Sequence, residues 1–232
     1  MGRIKFKYIV IAAAIIVMVV LKYFFGITNL WVYGIVIALA IIITQYYRKK
    51  QSTAKKLDTI EEYNQLVKSN PDDPNAYFYR AQAYLTKFRT EENSVKIAEK
   101  DLSRTIKLNP DYASAYKSRG FLHLSNNDHK KAISDFTKAI QLDPESPHAY
   151  YSRAVANTQL KYFKNALNDY EKVIEINPDN AEAHRNKGHI LFKLKKYSPA
   201  IKEWEHSIKL KPNLETEIKP LIEGTKRKLN QL

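Results

Sequence analysis

Residue types that could carry catalysis or hold a metal are present in this chain, but their spacing assembles no site. The sequence has six histidines and no cysteine, which excludes a thiolate nucleophile, a thiolate metal site and a disulfide. No two histidines form His-Glu-x-x-His or another zinc-binding spacing, and the six glycines are too widely spread for a phosphate-binding loop. The acidic residues alternate with lysines, as on solvated helix faces. We predict that the protein is not an enzyme and uses no metal or cofactor.

The net charge is +14 over 232 residues. Residues 1–50 hold seven basic side chains and no acidic one, so half of the excess belongs to this short segment. The other half is spread over the remaining chain and is moderate, so by itself it does not indicate a nucleic-acid partner. The sequence therefore makes nucleic acid an unlikely partner.

Residues 8–47 are almost wholly apolar, whereas the rest of the chain is polar and charged. A membrane-spanning helix needs about 20 apolar residues, so this stretch is too long for one helix and fits two, at about 8–25 and 30–47. A cleaved signal peptide is the alternative, but no small-x-small cleavage site follows the first apolar run. The pattern predicts a transmembrane hairpin in residues 1–50.

Basic residues flank the two outer ends of this hairpin. Arg3, Lys5 and Lys7 precede the first span and 48–50 follow the second, whereas the turn end carries only Lys22. Short flanks rich in Lys and Arg stay on the cytoplasmic side. We therefore predict an integral membrane protein, in a prokaryotic inner membrane, with both termini and all of the chain after the hairpin in the cytoplasm.

One phrase is written four times in the polar part of the chain. The copies are NPDDPNAYFYRA at 70–81, NPDYASAYKSRG at 109–120, DPESPHAYYSRA at 143–154 and NPDNAEAHRNKG at 177–188. Prolines recur 34 residues apart at Pro110, Pro144, Pro178 and Pro212. A fixed period of this length is typical of stacked supersecondary units. It predicts four units, at 74–112, 113–146, 147–180 and 181–214, of which the first holds five extra residues.

Small and bulky residues recur at fixed positions when each unit is numbered from its first residue and the five extra residues are left out. Position 8 holds Ala81, Gly120, Ala154 and Gly188, and position 20 holds Ala98, Ala132, Ala166 and Ala200. Position 24 holds Leu102, Phe136, Tyr170 and Trp204. Two antiparallel helices approach closely where both present small residues, and bulky side chains fill the space beside that contact. The proline at position 32 ends the second helix.

The segment AYKSRGFLHLSNNDHKKAISDFTKAIQLDP and its two aligned successors resemble the tetratricopeptide repeat, TPR. The resemblance covers 74–214 and implies an all-α solenoid of antiparallel helix pairs, here following the predicted transmembrane hairpin. Position 7, often leucine in this family, is basic in every unit: Arg80, Arg119, Arg153 and Lys187. A residue repeated with the fold is expected to be structural, with its stem covering the helix pair and its charge reaching solvent.

The flanks complete the predicted array. Residues 51–73 are interpreted as a linker followed by a half-repeat helix, and the linker is either a continuous helix or short and flexible. The five extra residues of the first unit fall in 86–96 and form either an exposed loop or a longer first helix. Residues 215–232 are interpreted as a capping helix. We expect it to begin near Ile218, because Pro220 is acceptable only in a first turn.

The resemblance implies that the first helix of each unit lines a concave groove, chiefly through positions 2, 5, 9, 12 and 13. The predicted partner-binding residues are Phe78, Gln82, Lys117, Phe121, Tyr151, Arg185, His189, Phe192 and Lys193. Aromatic anchors beside basic groups suit an extended or helical peptide with apolar residues and an acidic group. For Phe121, Val155 and Leu124, packing against the next helix is the alternative.

These observations predict a membrane-anchored TPR adaptor that binds protein or peptide partners in its groove. Two other classes remain open. The chain is alternatively a structural subunit of an envelope assembly or secretion complex, or a binder of anionic lipid or nucleic acid through its basic surface.

Overall fold

The computed structural model describes residues 60–87 and 91–230, together with eight positions of the N-terminal apolar stretch. Those eight positions are Lys22, Ile35, 37–39, Ile41, Ile42 and Gln45, all helical and exposed. The chain divides into two compact units, 1–65 and 66–232. Residues 60–69 are helical, and the boundary falls within this stretch. The predicted linker at 51–59 lies outside the described residues.

The second unit is a succession of helices. They are α1 (Pro74–Lys87), α2 (Glu92–Leu108), α3 (Ala113–Ser125), α4 (His129–Leu142), α5 (Pro147–Gln159), α6 (Phe163–Ile176), α7 (Ala181–Lys193), α8 (Tyr197–Leu210) and α9 (Glu215–Leu229), with a 3₁₀ turn at Pro212–Leu214. Each helix packs chiefly on the helices before and after it. Odd-numbered helices are the first, and even-numbered helices the second, of each pair.

The turn between the two helices of a pair is the same in the second, third and fourth pairs. Position 15 adopts a left-handed conformation, with φ of 61° at Asn127, 61° at Lys161 and 59° at Lys195. In the second pair the next amide, that of Asp128, donates to the carbonyl of His123 at 2.8 Å. This geometry is the Schellman motif, which satisfies free carbonyls at a helix end and turns the chain sharply. The two helices of each pair therefore run antiparallel.

The turn between successive pairs is built around the periodic proline. The amide of position 34 donates to the carbonyl of position 31, as from Tyr112 to Asn109 at 3.2 Å and from Asn180 to Asn177 at 3.2 Å. Proline is suited to the second place of such a turn because its φ is already set. The two alternating turns keep the 34-residue period exact after the first pair.

The core follows the small and bulky columns of the sequence. The alanines at positions 8 and 20 are fully buried, and the side chains at position 24 are at most 1% exposed. Position 8 is glycine in the two units where the ring at position 24 leaves no room for a methyl group: a Cβ at Gly120 would lie 2.9 Å from the Phe136 ring, and one at Gly188 would lie 2.5 Å from Trp204. The predicted close helix contact is therefore present, and the bulky partner explains each glycine.

Both predictions about irregular segments need correction. The extra residues of the first unit mostly lengthen α2, which has 17 residues where α4, α6 and α8 have 14. They do so because Ser94 and Val95 pack into the core and extend its apolar face. The last helix begins at Glu215 rather than Ile218, and Pro220 lies inside it. Burial of Ile218 and Ile222 against the end of the array offsets the hydrogen bond that Pro220 removes.

The predicted integral membrane location is wrong for the part of the chain that the structure describes. No helix there is both long and apolar enough to cross a bilayer. The longest, α2, carries seven charged side chains among its 17 residues. The transmembrane hairpin in residues 1–50 is therefore not supported, and its two spans lie outside the described residues except for the eight positions named above.

Candidate functional site

A repeated ion pair explains the basic residues at position 7. Arg80, Arg119 and Arg153 each make two hydrogen bonds, of 2.6 to 3.0 Å, to a buried aspartate at position 23 of the second helix. These aspartates are Asp101, Asp135 and Asp169. In the last unit Lys187 pairs with Glu203 at 2.9 Å. The hydrogen bonds that Arg80 and Arg119 donate to these aspartates raise the pKa of both arginines despite burial.

The same basic groups also link successive units. Arg119 donates to the Ser103 hydroxyl at 3.1 Å and Arg153 to the Thr137 hydroxyl at 3.0 Å, both at position 25 of the preceding unit. Lys187 reaches Glu171, at the same position, at 3.4 Å. Position 7 is therefore structural as predicted, but its positive charge pairs with acidic side chains inside the array instead of reaching solvent. The expectation that the acidic residues lie on exposed faces is wrong for the position 23 aspartates.

One cavity of about 1030 Å³ lies between α1, α2 and α3. From the first helices it is lined by Leu85, Phe121, Leu124 and Ser125, which stand at the predicted groove positions 9, 12 and 13. Its wall on the α2 side is formed by Glu92, Val95, Lys96 and Glu99 in the first turns of that helix, which begins three positions earlier than the second helices of the later units. The sequence did not predict this wall. The five extra residues of the first unit were the feature that pointed to it.

Phe121 is the most prominent apolar side chain of this cavity. It is 44% exposed, and its ring is held edge-on against Phe136 at a centroid distance of 5.3 Å. One turn earlier on α3, Lys117 is partly buried, and within the described part of the chain no carboxylate lies at ion-pair distance from it. A fixed aromatic ring and an available ammonium group are thus presented one helical turn apart.

The remaining predicted residues of the first three units, Phe78, Gln82 and Tyr151, contact other residues of the array. Phe78 packs on Tyr112 with ring centroids 4.9 Å apart, and the Gln82 amide donates to Ser118 at 2.8 Å. The Tyr151 hydroxyl accepts a hydrogen bond from Asn186 at 2.9 Å, and burial raises the pKa of Tyr151.

The predicted residues of the last unit lie away from the cavity. Arg185 pairs with Glu182 at 2.7 Å and with Glu217 of α9 at 3.4 Å. His189 lies edge-on to Trp204, and burial together with the charge of Arg185 lowers the pKa of His189. The last two residues make cation–π contacts. Lys228 stands over the Phe192 ring at 5.0 Å and Lys193 stands over the Phe163 ring at 5.8 Å. Of the nine predicted partner-binding residues, Phe121 therefore lines the cavity, and the structure does not bring the others to it.

Three family models match the repeats. A tetratricopeptide repeat model matches 113–146, another matches 181–214, and a TPR repeat model matches 158–195. The first two ranges are those of the second and fourth units. The chain therefore contains tetratricopeptide repeats, and the all-α solenoid of helix pairs is confirmed.

Solved structures show the same fold at low sequence identity. A crystal structure of MamA is 20% identical, with a TM-score of 0.64, over 72% of this chain and 95% of that protein. MamA 41-end from Desulfovibrio magneticus RS-1 is 14% identical, with a TM-score of 0.62, over 73% of this chain and 93% of that one. YrrB, a TPR protein with an unusual peptide-binding site, is 21% identical, with a TM-score of 0.59, over 66% of this chain and 76% of that one. No curated protein sequence matches the chain.

Proposed function

We propose that these tetratricopeptide repeats form a protein-interaction module that binds a peptide segment of a partner protein in the cavity between α1, α2 and α3. An apolar side chain of the peptide packs against Phe121, and an acidic group of the peptide pairs with Lys117. Leu85 and Leu124 complete the apolar surface. YrrB, which is similar in fold, has a peptide-binding site, and this likeness supports the same class of partner.

The observation that carries this proposal is the exposed, rigidly held ring of Phe121 in a concave apolar surface. Aromatic anchors held in pockets supply most of the binding energy at protein interfaces. The ring contact with Phe136 fixes the orientation of Phe121 before a partner arrives, which reduces the entropy lost on binding.

Selection from a displayed peptide library against the full chain tests this function. We expect Phe121→Ala to weaken the selected peptides by about 30-fold, which corresponds to the loss of roughly 2 kcal/mol at a hot spot. Lys117→Glu should weaken only the peptides that contain Asp or Glu. Tyr162→Ala, which removes an equally exposed ring outside the cavity, is the matched control and should change nothing.

The proposal is wrong if the library yields no binder, or if the selected peptides bind Phe121→Ala as tightly as the wild type. Circular dichroism spectra of each variant show whether the helices are intact, so loss of fold is distinguished from loss of the anchor.

A further inference from the structure

Charge is strongly concentrated on one edge of the array. Because the helices of each pair are antiparallel, the turns within the pairs all lie on one edge, together with the C-terminal end of α9. Four segments of this edge, 127–131, 161–164, 193–196 and 226–228, hold ten basic side chains and one carboxylate. We call these four segments the basic edge.

The basic edge is continuous over its last three segments. Lys193 lies over the ring of Phe163 in the preceding segment, and Lys228 lies over the ring of Phe192, the residue directly before the segment 193–196. Among the described residues, two of the ten basic groups have carboxylate partners, Lys131 with Asp128 and Lys226 with Glu205, and these pairs are exposed. Exposed pairs of this kind are weak and exchange readily for another anion.

The opposite edge carries the opposite charge. The turns between the second, third and fourth units contain Asp143, Glu145 and Asp179 and no lysine or arginine. The average charge of the repeats is therefore moderate because positive charge on one edge is partly cancelled by negative charge on the other. Such a separation focuses the field on one edge and attracts a polyanion to it.

Two lysines of the basic edge occupy a position that is unfavourable for them. Lys161 and Lys195 have φ near +60°, where Asn127 stands in the equivalent turn of the second unit. Glycine, and next asparagine, are the residues that a Schellman turn favours at this position, because a Cβ is strained there. A positive charge is thus present at two sites where a neutral glycine would give a more stable turn, which points to a use for the charge.

We propose that the basic edge binds single-stranded nucleic acid through its phosphates, in addition to the peptide site at the cavity. Nine of the ten basic residues are lysines, which bind phosphate as point charges on flexible stems and so tolerate the varied geometry of a flexible strand. Tyr162, 49% exposed between Lys161 and Lys164, offers a ring on which a base stacks. A row of lysines with an interleaved aromatic ring matches a flexible strand of phosphates and bases.

Fluorescence anisotropy of the full chain with labelled RNA and DNA strands of about 20 nucleotides, titrated with salt, tests the proposal. We expect tight binding at low salt and a steep loss as salt rises. The double variant Lys161→Gly with Lys195→Gly should lower the salt slope by about 1.4 and weaken binding by about 25-fold at about 0.1 M salt, since each phosphate contact on a single strand contributes about 0.7 to the slope.

The matched control is Asn127→Gly, which makes the same backbone change in the equivalent turn without removing a charge. It should leave affinity and slope unchanged. Both glycine variants should melt at or above the wild-type temperature, so weaker binding cannot be ascribed to unfolding. Tyr162→Ala should weaken binding with little change in slope.

Three outcomes would overturn the proposal. The first is no binding of either strand by the wild type at low salt. The second is the same affinity and slope in the wild type and the double lysine variant. The third is tighter binding of poly-L-glutamate, or of vesicles rich in anionic lipid, than of either nucleic acid, which would assign the basic edge to an acidic protein or to a lipid surface.

Discussion

At the scale of single residues, this array is organised by pairs of side chains that repeat with the fold. The side chain at position 24 limits position 8 to alanine or glycine. The carboxylate at position 23 pairs with the basic group at position 7. Gly188 is required by the Trp204 indole, whose N–H donates to the carbonyl of Arg185 at 3.2 Å. No neighbouring side chain requires glycine at Gly224 of α9, because no atom lies within 4 Å of a Cβ built there.

Alanine at these two glycines should therefore have opposite effects. Gly188→Ala places a methyl group inside the Trp204 ring contact and should lower the free energy of unfolding by roughly 1–3 kcal/mol. Gly224→Ala removes backbone freedom in an open helix position and should raise it by about 0.5–1 kcal/mol. Urea denaturation of both variants measures these changes. A Gly188→Ala protein as stable as the wild type would show that Trp204 is not fixed as described.

At the scale of the helices, α9 takes the place of the first helix of a fifth unit. It begins at Glu215, which is 34 residues after the start of α7 at Ala181. Its inner face buries Ile218, Ile222 and Thr225 and closes the apolar end of the array. Position 8 of α9 is the bulky Ile222 rather than glycine or alanine, and its side chain packs against the end of the array.

Pro220 is a defect in this helix that burial overrides. We expect Pro220→Ala to raise the free energy of unfolding by about 1–3 kcal/mol, because the new amide can donate to the Thr216 carbonyl and the ring clash is lost. Pro147→Ala is the control: Pro147 opens α5, where proline is favourable, so its replacement should bring no gain. Thermal melts of the two variants and the wild type measure this difference in stability. Equal melting temperatures for Pro220→Ala and wild type would indicate that the helix is already distorted around Pro220.

At the scale of the whole array, contacts run chiefly between consecutive helices and between the first helices of successive pairs, and charge is divided between two edges. A stack of this kind behaves as a chain of units, each stabilised by itself and by its neighbours. Damage in one unit is therefore expected to remain local. The hydrogen bonds of Arg119 and Arg153 and the ion pair of Lys187 to the preceding unit are part of that coupling.

Hydrogen exchange measured by mass spectrometry tests this locality. In Gly188→Ala, amides of α7, α8 and α9 should exchange faster, whereas those of α3 and α4 should keep their wild-type rates. The physical reason is that α3 and α4 share no interface with the altered helix pair. An equal rise in exchange throughout 113–229 would instead mean that the array opens as one cooperative unit.

Much of the fold was accessible from the sequence because it repeats. The 34-residue period, the small residues at positions 8 and 20 and the proline at position 32 are local signals, and repetition in tandem units separates them from chance. The candidate site was less accessible. Lys117 and Phe121 were identified from their positions in the unit, but nothing in the sequence indicated that Arg185 is paired with Glu217 on another helix.

The sequence by itself determined the helix pairs, their order and their close contacts, since these depend on residue size at a fixed period. Only the tertiary structure decided which charged side chains are buried or exposed and where the cavity lies. It buried Asp101, Asp135 and Asp169, and it used most of the insertion to lengthen α2 rather than to form a loop. It also aligned lysines from four distant segments on one edge. These properties depend on distances between residues far apart in the chain, and a one-dimensional pattern does not contain such distances.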